Sequence, residues 1–139
     1  MKIIFLILIG CSLLYSEITR NKNTYLVKDT DTQLEWQDNE ISKKMSWNAA
    51  VKHCKNLSYR GHGWRLPSKE ELFTIVDRDN AYPAINSEFR KTGLSYYWTS
   101  TPFIGNKNAF WGIGFAGGTQ FYGYDSYKSH ARCVRDLKR

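Results

Sequence analysis

At 139 residues, 42% hydrophobic and 24% charged, with no repeat and no low-complexity tract, the chain has room for one ordinary globular core and excludes a second domain. Its formal charge of +7 favours anionic partners at low salt. The leading apolar run is too short for a transmembrane helix, and nothing later reaches the length needed to cross a bilayer.

Residues 1–16 read as a secretory signal peptide: Lys2 precedes an apolar run over residues 3–14, broken only by Gly10, Cys11 and Ser12, and Ser16 is followed by the polar Glu17. Leu8-Ile9-Gly10-Cys11 also has the form of a lipobox, which would acylate Cys11 and anchor the protein. Cleavage near Ser16 is favoured, because the apolar run continues through Leu13 and Leu14. The mature protein is then periplasmic or secreted, and a membrane partner is expected only with a lipid on Cys11. Residues 17–23 read as a linker and 24–139 as the domain. Cys54 and Cys133 remain in a compartment where disulfides persist, so one bridge is the expected state. A catalytic thiol beside His53 is the alternative.

From Thr24 to Asp38, Tyr25, Val27, Leu34 and Trp36 alternate around Lys28-Asp29-Thr30-Asp31-Thr32, the pattern of a hairpin. Ser46 can cap a first helix whose inner face is Trp47, Ala50, Val51, Cys54 and Leu57. In Trp64-Arg65-Leu66-Pro67-Ser68-Lys69-Glu70-Glu71-Leu72, Pro67 biases Leu66 to extended backbone and Ser68 with Glu71 forms a capping box. An arm thus turns into a second helix presenting Leu72, Ile75 and Val76.

Residues 96–101 suit a strand ending at Pro102, and residues 105–108 a turn. Trp111, Ile113 and Phe115 alternate with Gly112 and Gly114, so another backbone or a ring is expected against those glycines. Gly117-Gly118 marks the next turn, residues 120–124 a returning strand, and residues 131–134 a last strand carrying Cys133. The order implies an α+β domain with two helices on a twisted antiparallel sheet, closed by pairing of residues 25–27 with the segment near Cys133.

The ordered series Leu34-Glu35-Trp36-Gln37, Met45-Ser46-Trp47-Asn48-Ala49-Ala50, Cys54, Gly63-Trp64-Arg65-Leu66-Pro67-Ser68, Glu71-Leu72, Tyr97-Trp98-Thr99-Ser100 and Arg132-Cys133-Val134-Arg135 resembles the Lcl C-terminal domain family, first defined from a bacterial collagen-like adhesin. The resemblance spans roughly residues 25–136. It implies a C-type-lectin-like fold related to the formylglycine-generating-enzyme superfamily, and a Cys54–Cys133 bridge. The founding adhesin is associated with sulfated glycosaminoglycans, whereas this chain lacks a collagen-like repeat.

Between Lys43 and Lys69 stand seven basic residues (Lys43, Lys44, Lys52, Lys55, Arg60, Arg65, Lys69) with His53, His62 and no acid. Without Lys2 of the leader, +7 becomes +6, enough to attract a sulfated glycan or an anionic cell-surface polymer at low salt. Lys43, Lys44, Lys52 and Lys55 are therefore ligand-binding candidates, against the plainer reading of a solvated basic face. The segment 116–130 supplies a second set, Tyr122, Tyr124, Asp125, Tyr127, Lys128 and His130, in the Gly/Tyr/Ser mixture of ligand-contacting loops.

The five tryptophans read as core, and Arg65 as a structural arginine. No catalytic triad, zinc helix, paired-carboxylate signature or phosphate loop is present. The histidines are too scattered for a metal cluster, and Asp77-Arg78-Asp79-Asn80 lies at a helix end, so no metal, calcium included, and no cofactor are expected. The expectation is a non-enzymatic envelope binding module that engages glycan or polyanion, with no nucleic acid partner. A structural or accessory protein binding another envelope protein is the second reading.

Overall fold

A computed structural model of the chain describes residues 17–138. The expected signal peptide and the lipidation site at Cys11 lie outside the described residues. In chain order the elements are β1 (Ile18–Arg20), β2 (Leu26–Asp29), β3 (Leu34–Gln37), α1 (Trp47–Lys55), α2 (Lys69–Phe73), β4 (Tyr96–Pro102), β5 (Ala109–Gly114), β6 (Thr119–Tyr124) and β7 (Val134–Asp136). The α+β class holds, with the strands divided over two antiparallel sheets, β1-β2-β3-β7 and β4-β5-β6.

The first hairpin forms as its turn chemistry requires, the Asp29 carboxylate accepting from the backbone N–H of Asp31 and Thr32. Closure of this sheet differs from the expected pairing. The last strand lies against β3, with Trp36 opposite Val134, because the far edge of β2 is already taken by β1. Residues 18–20, read as linker, are that strand. The last strand also starts later than residue 131: the N–H of Cys133 turns to the Gln37 side chain and that of Ala131 to the Ser42 hydroxyl, leaving the ladder to begin at Val134.

Residues 129–136 stitch the two halves. Ser129 exchanges backbone bonds with Met45, His130 bonds with the edge of β4, and Val134 lies between Trp36 and Arg65. The Cys54–Cys133 disulfide, with Cα atoms 5.3 Å apart, ties α1 to this segment. Two core clusters result. Val27, Trp36, Leu72, Ile75, Tyr97, Ile113 and Phe115 pack with α2, while Ala50, Trp64, Leu66, Trp98 and the disulfide pack with α1.

The glycine face of β5 is covered by rings, as its pattern implied: a Cβ on Gly112 would overlap Phe121, and one on Gly114 would meet Tyr96. The second helix is shorter than the apolar spacing suggested. After Phe73 the chain continues in tighter turns, the N–H groups of Thr74, Ile75 and Val76 bonding three residues back. Thr74, Ile75 and Val76 are all β-branched, and Val76 leaves to pair with Ile85.

Candidate functional site

Lys43 and Lys44 stand exposed on the extended approach to α1. Met45 pairs antiparallel with Ser129, with backbone bonds of 2.8 and 3.0 Å, so Lys44 comes opposite His130 and Ser46 opposite Lys128. One residue into α1, the N–H of Trp47 bonds to the Asp125 carbonyl at 3.0 Å, and the Asp125 N–H in turn bonds to Asn108. The structure thus lays the approach to α1, with Lys44, alongside residues 125–130, joining two separate tracts of sequence. Tyr124 and Tyr127 meet edge to face there, with centroids 5.6 Å apart.

His130 is the anchored member. Its Nδ1–H donates to the Ser42 carbonyl at 2.7 Å, and its ring packs 5.0 Å from that of Tyr97. Burial pushes its imidazole below the ordinary histidine range, and the positive Lys44 and Arg132 add to the shift, against the Ser42 bond. It is therefore a neutral positioning group for the loop.

Lys52 and Lys55 are not part of this gathering. They lie on the solvent side of α1, about 10–15 Å further along by helical rise. There Lys52 borders an open concavity shared with His53, Asn56, Ser58, Tyr59 and Arg60. None of Lys43, Lys44, Lys52 and Lys55 forms an ion pair among the described residues, whereas Arg20, Arg65, Arg132 and Arg135 are all paired with carboxylates. These four lysines are therefore among the uncompensated charges of the described residues.

Tyr122 belongs to a different cluster. Its ring stacks on Phe103 at 3.9 Å and 3°, with Trp111 edge-on to both and Lys69 Nζ 4.4 Å above the Trp111 ring. Among the described residues no group of three or more His, Cys, Asp or Glu side chains is placed to hold a metal ion. Asp77 instead accepts from the Asp79 N–H and the Asn80 amide, the bonds of a local turn.

The Trp64–Leu72 run is scaffold. Arg65 grips Glu71 in a two-pronged pair at 2.7 and 2.8 Å, and Glu71 also receives the Ser68 N–H, so one carboxylate serves both the arm and the capping box. Trp64, Leu66 and Pro67 are buried. A family model for the Lcl C-terminal domain matches residues 25–135. The chain belongs to that family. No curated protein matches the chain. Within this Lcl C-terminal domain, the matching motifs map to the buried Trp36, Cys54, Trp64, Leu66, Trp98 and Cys133, and the span begins after β1.

Two of the five tryptophans, Trp47 and Trp111, are half-buried rather than core. Trp47 stacks on Phe110 at 3.5 Å, and its indole N–H reaches the Thr99 carbonyl. The grouping of Phe103, Trp111 and Lys69 escaped the sequence reading. Its signal lay in the β5–β6 register, where Trp111 faces Tyr122 across a turn of residues 115–118, wider than Gly117-Gly118 alone.

Proposed function

We propose that this Lcl C-terminal domain is an exported, non-catalytic binding module of the cell envelope that recognises a sulfated glycan or another anionic surface polymer. The observation that carries the reading is the Met45–Ser129 pairing, which brings the exposed lysine segment 43–44 to the His130 end of a tyrosine-bearing loop. Cations supply attraction to the polyanion, and Tyr124 and Tyr127 supply flat apolar area for sugar rings. The disulfide supports an oxidising compartment, periplasmic or extracellular.

The test is retention on immobilised heparin at about 0.15 M salt. The protein should be retained, Lys43→Gln/Lys44→Gln should elute markedly earlier, and adding Lys52→Gln and Lys55→Gln should shift elution further. Unchanged elution of the fourfold variant, together with recovery of a stoichiometric protein partner, would replace this reading with that of an accessory protein.

A further inference from the structure

The β4–β5 hairpin ends in an apolar side chain that the fold does not use. Ile104 is 101% exposed at the tip of a turn held by the bonds from Phe103 N–H to Ala109 and from Asn106 N–H to Phe103. Its position in the turn favours Pro or a polar residue, and no neighbour packs it. Behind the tip stand Phe103 and then Tyr122 and Trp111, the last two facing each other two residues inside the Ala109–Tyr124 pair that ends the β5–β6 ladder. The hairpin end therefore carries an aliphatic tip, with Lys107 beside it in the turn, and a layer of rings behind it with Lys69 over Trp111.

We infer that this end of the second sheet docks on an anionic lipid bilayer, Ile104 entering the acyl boundary, the rings lying at headgroup level and the two lysines meeting lipid phosphates. The combination of a fully exposed aliphatic tip, half-exposed rings and two flanking lysines carries the assignment. Trp and Tyr favour the interface, lysine stems reach along apolar surface to the phosphates, and an aliphatic tip gains only by leaving water. A glycan would use the rings but leave Ile104 in solvent. The contact needs no acyl chain on Cys11, and it uses no residue of the Met45–Ser129 surface, so it stands apart from the polyanion reading.

The test uses residues 17–139, which hold every strand and helix described, with sedimentation on vesicles of phosphatidylcholine with and without about one-third phosphatidylglycerol. The protein should bind the anionic vesicles, Ile104→Asp should weaken binding about tenfold or more, and Lys69→Gln/Lys107→Gln about tenfold. Both variants should shift heparin elution less than Lys43→Gln/Lys44→Gln does. Ile104→Trp should show a blue-shifted emission on the anionic vesicles and lose quenching by acrylamide. Binding undiminished in Ile104→Asp would mean adsorption by charge alone and overturn the inference. So would failure of the native protein to bind, including the case in which Ile104 instead drives self-association between copies.

Discussion

Asp38 is fully buried and gathers four donors: the backbone N–H groups of Arg90 and Lys91 at 2.8 and 3.1 Å, the Arg132 guanidinium at 2.8 Å, and Arg20. Arg132 is buried with it and also reaches the Gln37 and Lys91 carbonyls and the Thr92 hydroxyl. Asp38→Asn keeps the shape and removes the charge, leaving two guanidinium groups facing one another across a neutral amide. A loss of about 3–5 kcal/mol in urea unfolding is expected, the cost of an uncompensated buried cation. His130 gives a pH signature of opposite chemistry. Its pKa is lowered in the fold, so its contribution is fully present above the ordinary 6.5 and is lost as pH falls below that value toward the folded pKa. The urea midpoint of the native protein should drop between about pH 7.5 and 5.5. The drop should be smaller in His130→Gln; equal slopes would show that other groups cause it.

At the scale of elements, α2 has only five residues and depends on its ends. Its first turn is fixed by Ser68 and Glu71, whose reciprocal bonds measure 3.1 and 2.8 Å, and by Lys69 N–H on the Thr101 hydroxyl. Ser68→Ala should lower unfolding stability by about 1 kcal/mol and leave the disulfide and heparin elution intact. The capping box was legible because both partners sit within four residues. The helix end was not: Leu72, Ile75 and Val76 keep helical spacing, yet pairing of Val76 with Ile85 draws the chain away. Residues 77–95 contain no regular element, but Ala84, Ile85 and Phe89 are core. Irregular backbone leaves no period to read, so their burial was invisible. For the same reason the surface around Met45 and Ser129 was split in sequence into two unrelated candidates, and only the long-range bridge joins them.

For the whole molecule, the α+β class followed from the order of patterned segments and the bridge from two cysteines in a chain read as exported, while the division into two sheets rested on pairings between residues about a hundred positions apart, such as Trp36 with Val134. The disulfide spans 79 positions, a closure that constrains the unfolded chain by about 4–5 kcal/mol in the loop-entropy description. The double variant Cys54→Ala/Cys133→Ala should lose about 2–5 kcal/mol, read as a lower urea midpoint, and the native protein treated with reductant should move the same way. An unmoved midpoint in reductant would mean that the bridge adds nothing to stability.

The stitching of both sheets by residues 129–136 also sets when folding can finish. Until those residues emerge, the outer edge of β3 lacks β7, the free edge of β4 lacks His130, and Cys54 has no sulfur to meet. A nascent chain stalled near residue 125 would present two bare strand edges and a thiol open to wrong partners, the conditions under which chains aggregate or mispair. Such a domain does not grow from its amino end as it is made. Its fold cannot be completed until its last strand arrives.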